Sequence, residues 1–344
     1  MKAGIIGLGK MGLLHTGILN SMPGIEITSI AEKDGIVRKY ISEAIPGVHV
    51  YDDYNKMLEL EELDFVYVTT PSHVHLPVIE SCIKNNVNFF VEKPLSKNQD
   101  DARLICTKLK ETNLITSVGY NGKFISTFSK AKSFLDLKIL GDISEVNSSM
   151  FVSNIFSKPS GWRYKKQLSG GGVLLEFGCH LIDILLWYFG DIENVNGKTK
   201  KIYSNVEDEA SMSMIFVNGI KAKLNTSWSK PGYRMPEINV IVSGSNGTMR
   251  INQDFIQIDL NEPHSKFTKL HSKIYKQELE LESEIAFDVG GPDYSLEDTY
   301  FINCIKNNKN SFNDVFQASK TQSVIEAMYE SDKENSQQLV QYIE

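Results

Sequence analysis

Cysteine is scarce: the 344-residue chain has 4, at Cys82, Cys106, Cys179 and Cys304, and no Cys-x-x-Cys pair. This spacing speaks against a zinc knuckle and against a disulfide framework, and a reducing cytoplasm is the expected location. Cationic excess is absent as well. Lys plus Arg number 36 against 43 Asp plus Glu, a formal net charge of −7. Neither nucleic acid nor an anionic membrane is expected as a partner, since both need a cationic surface. No apolar run reaches the roughly 20 residues of a membrane span. The densest, Val173 to Phe189, is broken by Glu176, His180 and Asp183. Gly4, Gly7 and Gly9 interrupt the short amino-terminal apolar run, which predicts a strand entering a turn and not a signal peptide. Internal repeats, low-complexity tracts and heptads are missing too. What remains is ordinary globular material, 41% hydrophobic and 23% charged. Such a composition argues against global disorder, and the length suits two domains.

The first 120 residues alternate short apolar runs with amphipathic segments. Strands are predicted at Ala3 to Ile6, Glu26 to Ala31, Leu63 to Val68, Asn88 to Val91 and Ile115 to Val118. Helices are predicted at Met11 to Asn20, Val37 to Ala44 (stopping before Pro46), Pro77 to Asn85 and Asp100 to Thr112. Alternation of this kind implies right-handed crossovers and a doubly wound parallel sheet. After Gly122 the pattern changes. A helix over Phe128 to Leu137 is followed, from Ile143 onward, by strand-like runs joined by tight turns. Asn218-Gly219 and Asn246-Gly247 are hairpin signals, each calling for two residues at positive φ. A mostly antiparallel sheet is therefore expected. Gly170-Gly171-Gly172 leads into one long apolar helix ending at Phe189. Residues 262 to 295 read as a polar loop, and Gln317 to Tyr329 as a helix.

Gly7-Leu8-Gly9-Lys10-Met11-Gly12 follows a strand and opens a helix. Gly7 permits the tight turn, Gly9 lets backbone approach a pyrophosphate, and Gly12 allows close packing of helix on sheet. The N–H groups at the helix start, from Lys10 and Met11 onward, would face the phosphates. Glu32 lies 20 residues after Gly12, at the end of the second strand. A carboxylate there bonds ribose hydroxyls and repels a 2′-phosphate, so NAD is favoured over NADP, with Lys33 the opposing influence. A turn without ligand and an adenosyl-cofactor methyltransferase are the competing interpretations of this motif.

In an open parallel sheet, ligands bind beyond the carboxyl ends of the strands. Two ends carry chemistry: Thr69-Thr70-Pro71-Ser72-His73-Val74-His75, and Glu92-Lys93-Pro94. A lysine at such a position can stabilise a developing alkoxide. A solvated charged loop is the bland alternative for Glu92-Lys93, and loop or cap histidines for His73 and His75. No metal is expected, since no further ligands accompany these histidines. In the apolar helix, Glu176, His180 and Asp183 stand at i, i+4 and i+7 and should share one face. Buried, they must pair or face a polar cavity. A carboxylate one turn before a histidine suits an acid–base relay, and a structural network is the alternative.

Together, residues 4 to 12, Glu32, Thr-Pro-Ser-His-Val-His, Glu92-Lys93-Pro94 and Gly-Gly-Gly-x3-Glu-x-Gly-x-His-x-x-Asp resemble the Gfo/Idh/MocA family of oxidoreductases. The resemblance extends to Trp162-Arg163 and the Val217-Asn218-Gly219 hairpin. It implies a Rossmann domain over 1–122 and a C-terminal α/β domain over 123–344. That second domain would have an open, mostly antiparallel sheet used for oligomerisation, and the last helix would be free to pack back on the first domain. A homodimer or homotetramer is implied, with reversible hydride transfer between NAD(P) and a secondary alcohol of a sugar, sugar nucleotide or cyclitol.

Carried over by position, Lys93 is the active-site lysine, His180 the proton-transferring histidine, and Glu176 the carboxylate that orients it. Glu176 departs from the usual Asp by one methylene. Thr70, Pro71, His75, Glu92 and Arg163 fall at cofactor-side positions. Tyr120, Asn121, Lys123, Arg163 and Asp183, with Lys93 and His180, fall at substrate-side ones. Arg is commoner than Lys at position 123, and a bidentate grip is lost there. Two other functions compete with a dehydrogenase: a redox-neutral glycosidase or epimerase that recycles bound NAD, and a non-catalytic NAD-binding regulator. Substrate identity is not encoded in any of these motifs.

Overall fold

The structure is a computed structural model that describes residues 1–45, 47–281 and 290–343. In chain order the elements begin β1 (Lys2–Ile6), α1 (Lys10–Ser21), β2 (Glu26–Ala31), α2 (Gly35–Ala44), β3 (His49–Tyr51), α3 (Tyr54–Leu60), β4 (Phe65–Val68), α4 (His75–Lys84), β5 (Asn88–Val91), α5 (Gln99–Leu109) and β6 (Thr116–Val118). They continue with α6 (Ser126–Asp136), β7 (Ile143–Phe151), α7 (Lys166–Ser169), a π-helical turn (Leu174–Gly178), α8 (Cys179–Phe189), β8 (Ile192–Lys200), β9 (Glu209–Phe216) and β10 (Lys221–Ser227). The rest are β11 (Glu237–Gly244), β12 (Gly247–Asn252), β13 (Phe255–Leu260), β14 (His271–Tyr275), α9 (Lys276–Glu280), α10 (Pro292–Lys306), α11 (Val315–Glu334) and β15 (Gln338–Leu339). The chain divides into two compact units. The first comprises Met1–Asn121 with the described residues from 290 to Gln322 and Ile343. The second comprises residues from Gly122 to 281 with Ser323–Tyr342.

The first unit is built on a six-stranded sheet in the order β3-β2-β1-β4-β5-β6, parallel throughout. Its central strands read as continuous apolar runs because helices cover both faces. Phe65, Val66, Tyr67 and Val68 are all fully buried. Tyr67 stacks on Phe90 at 4.6 Å, and Phe301 of α10 meets Phe65 edge-on at 6.0 Å. Aromatic pairs of this kind add about 1 kcal/mol each beyond their burial. Phe301, Ile302 and Cys304 of α10 thus join the core formed by Ile5, Ile30, Phe65 and Phe90. All four cysteines are buried.

The second unit carries a nine-stranded sheet, β14-β13-β12-β11-β7-β10-β9-β8-β15. It is antiparallel except where β7 runs parallel to β10. The two expected hairpins form, with different turns. In each, only the glycine lies at positive φ, Gly219 at 87° and Gly247 at 142°. Gly247 already belongs to β12, paired with Gly244, so the second turn is Ser245-Asn246 and not Asn246-Gly247. The stretch 262–295, expected as loop, holds β14, α9 and the start of α10. Residues 282–289 of that stretch lie outside the described residues, as does Pro46, where α2 was expected to stop. By length and composition Lys166–Phe189 matches a bilayer-crossing segment, yet 78% of its most apolar window is buried inside the fold. That is the circumstance of a core helix.

Candidate active site

The segment expected as one helix from Gly170 to Phe189 is instead divided. The five-residue π-helical turn carries Glu176, and α8 follows with His180 and Asp183. Glu207 caps the start of this segment. Its carboxylate accepts N–H bonds from Gly172 at 2.7 Å and Leu174 at 3.2 Å, and the Tyr329 hydroxyl at 2.7 Å. A Cβ on Gly172 would lie 2.2 Å from the Glu207 carbonyl oxygen, so only glycine permits this approach. The i, i+4 spacing therefore spans a wider turn than that of an α-helix, and π-turns recur at functional sites.

In the first unit the strand register aligns three chain ends. Ile6 of β1 pairs with Val68 of β4, and Val68 pairs with Val91 of β5. Gly7, the Thr69-Thr70 pair and Glu92-Lys93 consequently leave the sheet at the same edge. Gly12 must be glycine, because a Cβ there would sit 2.2 Å from the Gly7 carbonyl oxygen. A Cβ on Gly9 would meet nothing within 4 Å. Among the described residues no side chain caps α1 at Gly9, and the N–H groups of Lys10 and Met11 open its first turn. Glu32 accepts the Leu8 N–H at 2.6 Å through Oε2 and the Asp34 N–H at 2.9 Å through Oε1. It thereby ties the end of β2 to the glycine turn.

His75 is buried, and its ring addresses backbone carbonyls. Nδ1 lies 3.1 Å from Pro94 O and 3.2 Å from Leu95 O, and Nε2 lies 2.9 Å from Thr70 O. Burial holds this imidazole below its ordinary pKa, against the pull of the backbone carbonyls. Its place is to brace the Thr70-Pro71 loop against the Lys93-Pro94 turn, whose peptide bond is cis. Glu92 is buried rather than solvated. Its Oε2 accepts the Lys93 backbone N–H at 3.1 Å, and its Oε1 lies 3.1 Å from His15 Nε2. Lys93 itself is half-buried. Tyr120 is buried, its carbonyl bonded by Asn313 Nδ2 at 3.1 Å, and Asn121 Nδ2 donates to Asp293 Oδ2 at 2.6 Å.

In the second unit, Glu176 is buried and Arg163 Nε stands 3.7 Å from its Oε2. The Arg163 guanidinium also lies over the Trp162 ring at 5.0 Å. His180 is half-buried, one residue into α8. Lys123 and Asp183 pair with each other at 2.8 Å. Burial pushes the Asp183 carboxyl above its ordinary range, against the pull of the Lys123 charge. The structure thus groups Gly7, Gly9, Gly12, Glu32, Thr70, Pro71, His75, Glu92 and Lys93 in the first unit. Arg163, Glu176, His180, Lys123 and Asp183 belong to the second.

Three buried residues outside the sequence motifs also organise these places: His15, Asp298 and Glu207. A polar residue at a sheet-facing position of α1, three after Gly12, was the available signal for His15. Asp298 gave none, since α10 itself was not expected.

The residues present fit a dinucleotide. Thr70 Oγ1 and Ser72 Oγ are buried without a hydrogen-bond partner among the described residues, at the edge where Gly9 is open. Such orphaned groups beside a bare helix N-terminus suit phosphate and ribose oxygens.

Comparison with known proteins agrees. A family model described as oxidoreductase family, NAD-binding Rossmann fold, matches residues 1–120. A second, described as GFO/IDH/MocA C-terminal domain, matches residues 128–250. The scyllo-inositol 2-dehydrogenase (NAD(+)) of Bacillus subtilis is 23% identical over 320 residues, covering 90% of this chain and 87% of its own. The levoglucosan dehydrogenase of Pseudarthrobacter phenanthrenivorans is 22% identical, covering 74% of each chain. A solved levoglucosan dehydrogenase in complex with NADH superposes with a TM-score of 0.90 at 19% identity over 100% of both chains, a likeness of fold.

Proposed function

The chain belongs to the GFO/IDH/MocA family of NAD-binding oxidoreductases, and we propose that it interconverts a secondary alcohol of a sugar or cyclitol with the corresponding ketone. The observation that carries this is the shared sheet edge, where the glycine turn, Glu32, Thr70 and the Glu92-Lys93 turn emerge together. Bound NAD would supply the hydride acceptor. The Gly7–Gly12 backbone would hold its pyrophosphate and Glu32 its adenosine ribose. The Lys93 ammonium stabilises the substrate oxygen as negative charge develops. His180 takes the hydroxyl proton at an imidazole nitrogen, and Glu176 orients that ring. The substrate class rests on the relatives, which are named for scyllo-inositol and levoglucosan. The same proposal extends to a homodimer or homotetramer in a reducing cytoplasm, the latter in keeping with four cysteines that include no Cys-x-x-Cys pair. Light scattering on the purified protein tests the assembly.

The deciding experiment incubates purified enzyme with NAD and a panel of sugars, cyclitols and sugar nucleotides. Accumulation of NADH is expected with at least one of them. Lys93→Ala and His180→Ala should abolish that turnover and still bind NADH. Product formed with no net NADH would replace the dehydrogenase with a redox-neutral enzyme. Wild-type turnover in both variants would overturn the assigned roles.

A further inference from the structure

His15 is fully buried on α1, and both of its ring nitrogens face carboxylates. Nδ1 lies 2.9 Å from each carboxylate oxygen of Asp298 on α10, and Nε2 lies 3.1 Å from Glu92 Oε1. The ring centroid is 5.1 Å from Tyr67 and 5.0 Å from Phe90, and the Tyr294 ring stands edge-on at 6.3 Å. Tyr67 adds its hydroxyl to Asp298 at 3.0 Å. Ionised carboxylates only accept, so an imidazole bridging two of them donates from both nitrogens and carries a charge. Burial works against that charge, but the Asp298 charge and hydrogen bond and those of Glu92 overcome it, raising His15 to about 10.

The other oxygen of Glu92 completes a chain of contacts. Oε2 receives the backbone N–H of Lys93, and a Cβ on Gly119 would come within 3.2 Å of it. A side chain at 119 would crowd the carboxylate, and glycine leaves it room. One contact chain therefore runs from α1, the helix that opens at the glycine turn, through His15 and Glu92 to the residue proposed to act on the substrate oxygen. Every member lies in the first unit.

We propose that His15 is a positioning residue for Lys93: by clamping Glu92 against α10, it fixes the turn that carries the Lys93 ammonium relative to the dinucleotide turn. This rests on the role assigned to Lys93 above. A buried ion bridge with a purely structural role would link α1 to α10 through Asp298, and Glu92 would be incidental.

The two interpretations separate by which nitrogen is replaced. In His15→Gln the amide nitrogen stands where Nε2 stood and still donates to Glu92. In His15→Asn it stands where Nδ1 stood and serves only Asp298. The assay uses NAD with the alcohol that the substrate panel identifies, and NADH fluorescence for binding. Misplacement of a reacting group by about 1 Å costs on the order of 100-fold. His15→Asn should therefore lose about that factor in kcat, with KM and the NADH Kd changed only about threefold. His15→Gln should keep most of the turnover. Equal losses in the two variants, or none in either, overturn the inference.

Should neither variant fold, Glu92→Gln decides: a loss of kcat with KM and the NADH Kd little changed is expected, and wild-type kcat, the outcome of a purely structural bridge with Glu92 incidental, overturns the inference. Lys93→Ala serves as the reference. If it is inactive while both His15 variants are fully active, only the His15 inference fails. If Lys93→Ala is itself active, both fall.

Discussion

Lys123 Nζ lies 2.8 Å from Asp183 Oδ1, with each side chain only 4% exposed. The second Asp183 oxygen is buried and has no hydrogen-bond partner among the described residues. Removing one partner of such a pair leaves an uncompensated buried charge, which costs about 3 to 5 kcal/mol. Lys123→Met should therefore lower stability by about 3 kcal/mol in urea unfolding. Lys123→Met combined with Asp183→Leu should recover most of that loss. A double variant as unstable as the sum of the singles would mean that the two side chains do not act as a pair.

Glu32 binds two backbone N–H groups that shape the cofactor end of β2. Hydrogen bonds to a charged acceptor contribute about 1.5 to 3 kcal/mol. Glu32→Ala should weaken NADH binding by about tenfold or more and reduce discrimination against NADPH, because the repulsive carboxylate is lost. Fluorescence titration with both nucleotides measures this. Unchanged affinity for NADH would remove Glu32 from the ribose site.

The first sheet was legible because its strands are apolar on both faces and its helices amphipathic, so the period changes visibly along the chain. Strand β3 (His49–Tyr51) and helix α3 (Tyr54–Leu60) were missed as they are short, 3 and 7 residues. Strand β14 escaped for another reason. In His-Ser-Lys-Ile-Tyr neither face is fully buried, so no alternation marks it. The motif residues Gly7, Gly12, Glu32 and Lys93 were legible because their chemistry dictates residue type at fixed spacing. His15 and Asp298 stand 283 residues apart, and no local pattern signals such a partnership. The π-turn was equally hidden. The segment before it is capped by Glu207, which lies on the far side of β8 in sequence, and periodicity within the helix itself registers neither a distant cap nor one wider turn.

Glu207 makes its own prediction. Replacing it with Ala strands the N–H groups of Gly172 and Leu174 and the Tyr329 hydroxyl. Each buried group left unsatisfied costs about 1 kcal/mol or more, so Glu207→Ala should destabilise the protein by about 3 kcal/mol. Glu207→Gln keeps one acceptor oxygen and should cost about 1 kcal/mol. Thermal unfolding of both variants checks the order. Equal effects would show that the acceptor is not what secures the turn before Glu176.

The charge on His15 ties stability to pH with a definite sign. Its folded value of about 10 exceeds the ordinary 6.5, so the folded protein holds a proton that the unfolded chain releases. The contribution of this group is complete below 6.5, declines as pH rises, and is gone above about 10. The groups facing the ring from the other elements are Glu92, Asp298, Glu297, Tyr67 and Tyr294. Burial, reinforced by the Asp298 charge, holds Glu297 well above the usual carboxylate range, burial also raises Asp298 against the pull of the His15 charge, and burial raises both tyrosines. A raised carboxyl also loses stabilisation as pH rises, so it adds to the slope without reversing it. Urea midpoints measured between 6.5 and about 10 should fall for the wild type and fall distinctly less for His15→Gln, which has no proton to release. Parallel slopes for the two proteins would place the His15 titration elsewhere and leave the buried bridge uncharged.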